Sequence, residues 1–449
     1  MDIGKKRLLL INPANQYRKG YLLRRQSKQV PLALGILAAL TPSDWSVKIL
    51  DENFKAFRYR EADLVGITAV TASVNRAYEI ASVYRAKGTR VILGGIHASA
   101  LPDEALQFVD SVVIGEAEGS WHQVLEDFSK GELKQRYQAP LADLKDIPPA
   151  RHDLFHPGYL FASIQTSRGC PMDCDFCSVP HFNGNRYRLR DPEAVVEEIA
   201  SVPNKMIYFV DDNIIGYSRP AEEHATAIFE GMIRRKLNKE WFAQTSLNIA
   251  EKPGILKLAA RSGCRMLLLG IEAENNEALE DSNKKVNLRL GVENYQKAFR
   301  LIHRNGIVVL GAFIFGMDSD DLSALERRTR YIASSSVDVT QASVLTPLPG
   351  TRLFGRLQEA GRLLCHDFPL DWQHFHFSDV VFQPGRMTPG ELAVSTDRAY
   401  QTICSNRFIR KKFIRTLWNT RSLRSAVWAW NSNLNYQSVG LEKASQWKY

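Results

Sequence analysis

This sequence predicts an α/β protein in three parts: a doubly wound parallel sheet, then an open parallel barrel, then a mostly helical C-terminal region. Strand-length apolar runs alternate with helical stretches over roughly the first 130 residues, and the alternation restarts at Ser163 and lasts to about Leu353. Between the two blocks lies a polar stretch containing Asp146-Ile-Pro-Pro-Ala150, whose paired prolines neither a helix nor a central strand can accommodate. Boundaries are therefore expected at 1–135, with a linker over 136–160, then 161–353 and 354–449. With 449 residues and 45% apolar side chains, each part can bury a core.

Residues 7–12, Arg-Leu-Leu-Leu-Ile-Asn, read as a buried parallel strand ended by Asn12-Pro13. A polar, aromatic loop follows through Tyr17 and Tyr21. Pro31 opens a helix running to Leu40, because proline is tolerated in a first turn. Strands over 46–51 and 64–68, a helix over 74–86, and strands over 90–93 and 111–114 complete a Rossmann-like sheet. In the second block, a strand from Ser163 precedes helix 192–200, strand 206–210, helix 221–235 and strand 242–246. Helix 253–262, strand 265–269, helix 288–304, strand 308–315, helix 322–334 and strand 338–345 follow. Six such units fit a partial (β/α)6 barrel of the triosephosphate-isomerase type, with its site at the C-terminal ends of the strands. Further on, His366, His374 and His376 raise a metal site, but alternating His374-Phe375-His376 reads rather as a half-buried strand. Thr388-Pro-Gly-Glu391 is a helix start with a capping box.

Formal net charge is +9, and from Arg407 onward nine Lys or Arg face a single acid, Glu442. The main body is thus nearly balanced, which argues against a nucleic-acid-binding face there. Basic and large apolar residues interleave over 407–418, and Trp428 and Trp430 follow. Such a segment suits either an anionic membrane interface or a docked helix with a solvated basic face. Neither a cleavage-signal pattern nor a bilayer-length apolar run occurs, so a cytoplasmic protein is expected, with a peripheral place on the inner membrane face open to residues 407–430.

Cys170-Pro-Met-Asp-Cys174-Asp-Phe-Cys177 puts three thiolates in one tight loop. Structural zinc wants four closing ligands, and no second pair follows at finger spacing; Cys264, Cys365 and Cys404 are single and far apart. Three ligands suit a [4Fe–4S] cluster with one iron open. This run resembles the radical S-adenosylmethionine (SAM) superfamily, whose cluster loop reads CxxxCx(aromatic)C, with Phe176 in the aromatic place. The resemblance implies that SAM chelates the open iron and is cleaved by an electron from the cluster to methionine and a 5′-deoxyadenosyl radical. It also implies a reductant such as flavodoxin or ferredoxin.

Candidate SAM-binding residues lie at the strand ends: Phe176, Asp211, Asp212, Ser246, Glu272, Gly311, Gly316 and Pro347. Asp211, Ser246 and Glu272 offer acceptors for the amino group and ribose hydroxyls, and the Gly311–Gly316 stretch offers a flat backbone edge for adenine. Small-residue loops at the strand ends of the first block resemble the cobalamin-binding domain found in one large class of these enzymes. They supply Asn12, Thr68, Thr71, Ser73, Gly94, Gly95, His97, Gly115 and Glu116 as cobalamin candidates. The Asp-x-His-x-x-Gly run whose histidine ligates cobalt in mutases does not occur in this domain. Cobalamin bound without a histidine ligand, or a domain that has lost it, is therefore implied, and His97 reads as a loop-end residue bonded to backbone. Arg186 and Arg188 are placed to neutralise a carboxylate or phosphate, or else form a solvated loop. The C-terminal region resembles that of hopanoid-methylating members. The function so implied is cobalamin-dependent C-methylation of an unactivated carbon on a hydrophobic, lipid- or isoprenoid-like small molecule, with no protein nucleophile. Oxidative cyclisation or rearrangement, and a cluster-bearing electron carrier or scaffold, are the alternatives.

Overall fold

The computed structural model describes residues 4–14 and 29–443, with side chains to residue 438; Tyr17 and Tyr21 lie outside them. Its first sheet contains β1 (Lys6–Asn12), β2 (Trp45–Asp51), β3 (Leu64–Thr68), β4 (Arg90–Gly94), β5 (Ser111–Ile114) and β6 (Arg136–Gln138). All pair in parallel, in the order β2-β1-β3-β4-β5-β6. Helices α1 (Leu32–Leu40), α2 (Val74–Arg85), α3 (Ile96–Ala100), α4 (Pro102–Ala105) and α5 (Trp121–Lys130) connect the strands. Successive side chains of β1 go to opposite faces. Leu8 and Leu10 join the core of Leu34, Trp121 and Leu125, while Leu9 and Ile11 join that of Ala77, Ile80 and Tyr84. Both faces are thus covered, and chain order reverses beside β1, where such sheets bind ligands beyond their carboxyl ends. The linker expected over 136–160 begins instead with β6: buried Tyr137 donates its hydroxyl to Asp127 at 2.8 Å. Three residues among polar neighbours are too short to display a period of two.

A two-stranded antiparallel ribbon, β8 (Ser167–Arg168) with β9 (Arg188–Leu189), follows β7 (Phe161–Ile164). The second sheet adds β10 (Met206–Phe209), β11 (Glu240–Thr245), β12 (Cys264–Glu272), β13 (Val308–Phe315) and β14 (Val339–Val344) to β7, all parallel and in sequential order. Around it lie α6 (Val179–Phe182), α7 (Pro192–Ser201), α8 (Arg219–Arg234), α9 (Pro253–Ser262), α10 (Asn276–Asp281), α11 (Lys285–Leu290), α12 (Tyr295–His303), α13 (Leu322–Ser334) and α14 (Arg352–Glu359). The single helix expected over 288–304 is broken at Gly291, whose φ of 81° no helix admits.

Beyond α14, the half-buried strand expected at 374–376 is instead the end of a tight 3-10 turn, Leu370–His374, and the turn residues that follow it. Trp372 and Phe375 are buried three residues apart, the repeat of such a turn. His374 Nδ1 and His376 Nε2 lie 2.9 and 3.2 Å from Asp379 Oδ2, and the backbone N–H of His366 donates to Asp371. Helix α15 (Pro389–Ile403) opens with the expected Thr388/Glu391 capping box. Helices α16 (Asn406–Thr420) and α17 (Leu423–Lys443) close the molecule. Lys412 of α16 is buried and donates to the carbonyls of Ile332 and Ser335, both at 3.1 Å, at the C-terminal end of α13. Helix α17 lies against the open side of the barrel: Trp428 approaches Phe161 and Phe242 edge-on, and Asn433 donates to the Asp338 carbonyl at 2.9 Å. Among the described residues, no helix is long and apolar enough to cross a membrane.

The hydrogen bond that half-exposed His374 donates to Asp379 raises the histidine's pKa. Although burial opposes it, His374 and His376 hold Asp379 below the usual carboxylate range. The histidine's contribution is complete below its unfolded value of 6.5 and is lost as pH rises through its raised folded value. The carboxylate's is complete above 3.8 and lost as pH falls through its lowered one. Denaturation midpoints measured against pH should therefore be highest between these limits, and Asp379→Asn should flatten the dependence.

Candidate functional site

The cluster loop is held by what precedes it. Asp211, at the end of β10, accepts from Thr166 N at 2.9 Å, Thr166 Oγ1 at 3.0 Å and Ser167 Oγ at 2.8 Å, and from Ser167 N as well. Burial pushes its pKa up to about 6, against these four donors. Gly169 follows with φ 91°, where an added Cβ would run into the Arg186 carbonyl oxygen. Cys170 N then donates to Gly184 O and Cys177 N to Cys174 O, both at 3.1 Å, and the chain closes into a loop. All three thiols line one cavity of about 250 Å³ with Phe176, Asp212, Ser246, Glu272 and Lys284. Burial raises each thiol, Cys177 to about 12. Three soft ligands that burial keeps protonated release their protons only to strong positive charge, which the irons of a cluster provide. The donor set thus fits that group.

Across the cavity, the ladder between β12 and β13 shifts register between Gly270 and Glu272, and Glu272 adopts φ 60°. Its carboxylate accepts from Lys284 Nζ at 2.6 Å. Burial opposes the lysine's charge, yet Glu272 and Cys174 outweigh it and raise the pKa. Asp212 accepts from Gly169 N and Asn183 Nδ2, each at 3.3 Å, while burial raises its pKa.

Behind Asn183 lies a second cavity, about 280 Å³, at the carboxyl edge of the first sheet. Thr68, Gly94, Gly95, Gly115 and Glu116 line it together with Gly66, Glu118 and Trp121, and Gln165, Arg168 and Phe182 face them from the barrel. An added Cβ on Gly66 would come within 2.9 Å of Leu10, whereas one on Gly115 would meet nothing within 4 Å. An apolar slot with small residues at its mouth suits the nucleotide end of a cobalamin, and the residues present fit that group.

Residues 164–331 match the radical SAM superfamily and residues 18–125 the B12 binding domain. The chain belongs to the cobalamin-binding radical SAM enzymes. Over 432 residues it is 28% identical to bacteriochlorophyllide d C-8(2)-methyltransferase of Chlorobaculum tepidum, covering 89% of this chain and 91% of that one. Hopanoid C-2 methylase of Rhodopseudomonas palustris is 29% identical over 350 residues, 75% of this chain and 66% of that one. The cobalamin-dependent SAM radical enzyme OxsB, solved with aqua-cobalamin and SAM bound, has the same fold at a TM-score of 0.72 and 15% identity, covering 92% of this chain and 71% of that one. The cofactors are accordingly a [4Fe–4S] cluster, SAM and cobalamin.

Several residues expected to face the cofactors of this radical SAM enzyme lie off the two cavities. Asp211 is spent on the loop before the cysteines, and Asp212 takes the cavity. Gly311 faces the other side of β13, where its Cβ would meet Ile271 and Val337; Ala312 and Gln341 line the cavity instead. Gly316 packs under Leu392, and Pro347 is buried away from the cavity. In the B12-binding domain, Asn12 donates to Asp51 and Ser73 to the Val70 carbonyl, both off the slot. His97 is buried with Nδ1 3.3 Å from Thr71 Oγ1 and Nε2 3.2 Å from Glu104 Oε1; its partners are side chains, not the backbone expected. Both ring nitrogens are engaged, so neither His97 nor Thr71 reaches the slot.

Two residues carry the site without having been singled out from the sequence. Lys284 sits in a short link between helices, with no motif around it. Arg168, two residues before Cys170, sends Nη2 to Glu118 at 2.5 Å, Nη1 to Glu116 at 3.3 Å and Nε to Gln165 at 2.7 Å. Arg188 adds a bond to Glu116 at 2.8 Å, so the carboxylate it neutralises is the protein's own; Arg186 is exposed. The acidic pair in Gly115-Glu-Ala-Glu118, read against the arginines flanking the cluster loop, was the signal for this seam.

After anaerobic reconstitution, Cys174→Ala is expected to lose the cluster's absorption and most of its bound iron. Cys264→Ala, buried in the core well away from the loop, should retain both.

Proposed function

We propose that this radical SAM enzyme transfers a methyl group, carried by cobalamin, to an unactivated carbon of a hydrophobic substrate. One observation carries the substrate class. A third cavity, of about 590 Å³, adjoins the cluster cavity through shared Leu268 and Gln341, and no Lys, Arg, Asp or Glu is among its described lining residues. Stacked Tyr208 and Phe242, 4.3 Å apart, form part of its wall with Met266, Leu310 and Trp428. Such a lining rewards apolar surface and penalises an unpaired charge. Ser163 Oγ and Asn435 Oδ1, on the same wall, lack a hydrogen-bond partner among the described residues, which suits a neutral polar end on the ligand. Relatives whose names assign methylation to a bacteriochlorophyllide and a hopanoid support the methyl transfer.

When bound, SAM and the cluster supply a radical that takes hydrogen, and cobalamin supplies the methyl group that replaces it. The chain's own part is to place and shield. Cys170, Cys174 and Cys177 would hold the cluster, with Glu272 and Lys284 placed for the amino and carboxylate groups of SAM. The small-residue mouth at Gly94, Gly95 and Gly115 would hold cobalamin. Alignment in a dry cavity contributes through pre-paid orientation. A reductant such as flavodoxin or ferredoxin belongs to the same reading, and a peripheral membrane position for residues 407–430 is compatible with it but independent of it.

Lys284→Met should weaken SAM binding to the cluster-loaded protein by about tenfold to a hundredfold, as expected for a lost charge-assisted hydrogen bond. Equilibrium dialysis would check this, with iron content unchanged. For the reaction, fully reconstituted protein would be incubated with SAM carrying a deuterated methyl group and with hydrophobic extracts. A product heavier by one labelled methyl is expected. Net loss of hydrogens without label would overturn methylation in favour of cyclisation or desaturation.

A further inference from the structure

Helices α16 and α17 expose a continuous stripe of cations and large apolar side chains. Along α16, Arg407, Arg410 and Lys411 are followed at helical spacing by Ile414, Trp418 and Arg421, all exposed; Leu423 continues the stripe at the start of α17. Trp418 is 84% exposed, Ile414 67% and Leu423 63%, values far from those of core side chains. The opposite face of α16 is docked: Phe408, Ile409, Lys412 and Thr416 are buried. The alternatives that the sequence left open therefore divide by face. One side of α16 is a core helix, and the other is an amphipathic surface with no partner among the described residues.

We propose that this stripe seats the enzyme on an anionic membrane, with Trp418, Ile414 and Leu423 entering the interface and the cations meeting lipid phosphates. Charge decides among possible occupants. Among the described residues, no acidic side chain pairs with Arg407, Arg410, Lys411 or Arg421. A second copy docking through the same patch would set these cations against each other, because a twofold contact brings like surfaces together. An anionic bilayer supplies what both halves of the stripe need. The position also has a use. Helix α17 presents Leu423 and Val427 outward, and a turn later places Trp428, Asn431, Ser432 and Asn435 on the wall of the large cavity. Asn431 is itself exposed, so the cavity wall reaches the surface beside the stripe. A substrate dissolved in the bilayer would meet the cavity without crossing water. That last step rests on the hydrophobic-substrate reading, whereas membrane seating does not.

The test uses the full chain with vesicles and no substrate. Sedimentation should show binding to phosphatidylcholine vesicles containing phosphatidylglycerol and little binding to phosphatidylcholine alone. Removing one cation, as in Lys411→Gln, should weaken partition about fivefold. Ile414→Ser with Trp418→Ser should weaken it by about tenfold or more, with the circular dichroism and reconstituted cluster unchanged. Absence of vesicle binding would overturn the proposal, as would full binding by the double serine variant, which would mean adsorption by charge alone. Sedimentation equilibrium showing a dimer that the serine variant dissociates would assign the stripe to a second copy instead. Methyl transfer to detergent-dispersed substrate reports on the proposed reaction separately, so either can fail alone.

Discussion

Arg168 and Glu116 carry opposite charges into a seam from which water is nearly excluded, and the arrangement of the whole site depends on their meeting there. Both sheets point their carboxyl edges at this seam, one holding the slot for cobalamin and the other the cluster loop. Burial works against every charge in it, yet Arg188 and Arg168 hold Glu116 below its usual range. A buried pair of this kind is weak evidence for net stability, since well-packed apolar side chains would serve as well or better. What it does supply is uniqueness: Arg168 is shared between Glu116 and Glu118, and Glu116 between Arg168 and Arg188, so any relative placement of the domains that parts this network leaves buried charges short of partners and is penalised. Gly169 and Cys170 follow Arg168 directly, so this placement passes into the cluster loop within two residues.

Six strands do not close a barrel, and the gap between edge strands β7 and β14 is where the third part of the chain acts. Helix α17 lies across it, and Val344 N donates to the Phe377 carbonyl at 2.9 Å, giving one edge a backbone partner. An open edge would otherwise invite pairing with another chain. The same C-terminal region reaches the first domain: Trp372 Nε1 donates to Glu104 at 2.8 Å, and Asn75 donates to the Leu370 carbonyl at the same distance. Three parts of the chain therefore enclose one site, and the cavity at the gap owes its shape to the least motif-rich of them.

Positions along the chain were more legible than directions. The cysteine loop, the two runs of alternating strands and the Thr388 cap follow from spacing alone, because each depends on neighbours in sequence. Which of two adjacent residues faces a cavity depends on the phase of the strand, and that is set by packing from elsewhere. Asp211 and Asp212 are chemically identical, and only the Thr166–Ser167 corner decides which is buried. Gly311 and Ala312 separate in the same way, because Ile271 and Val337 already occupy the far side. His97 satisfies both nitrogens through Thr71 and Glu104, the latter contributed by a turn seven residues on. Lys284 had no signal at all, since its partner Glu272 is turned toward it by a ladder irregularity that no composition rule anticipates.

The two cavities that share Leu268 and Gln341 differ in kind, and the difference bears on the reaction. On the cluster side, three thiols, Asp212 and Glu272 face Lys284 and Lys285, a donor-rich wall suited to iron and to a sulfonium cation. Beyond Gln341, charged side chains cease among the described residues, and His376 and three tyrosines are the titratable groups left. Burial raises the pKa of Tyr208, which keeps its phenol from acting as a general base, and His376 spends Nε2 on Asp379 at 3.2 Å. A reaction that moved protons at the substrate would want such a group within hydrogen-bond reach. Removing a hydrogen atom and adding a methyl group does not, because the demanding chemistry belongs to the cofactors and the wall need only be close, apolar and dry. The neutrality of the large cavity thus supports a radical methylation over an acid–base reaction, and for the same reason it favours a substrate that brings no charge of its own.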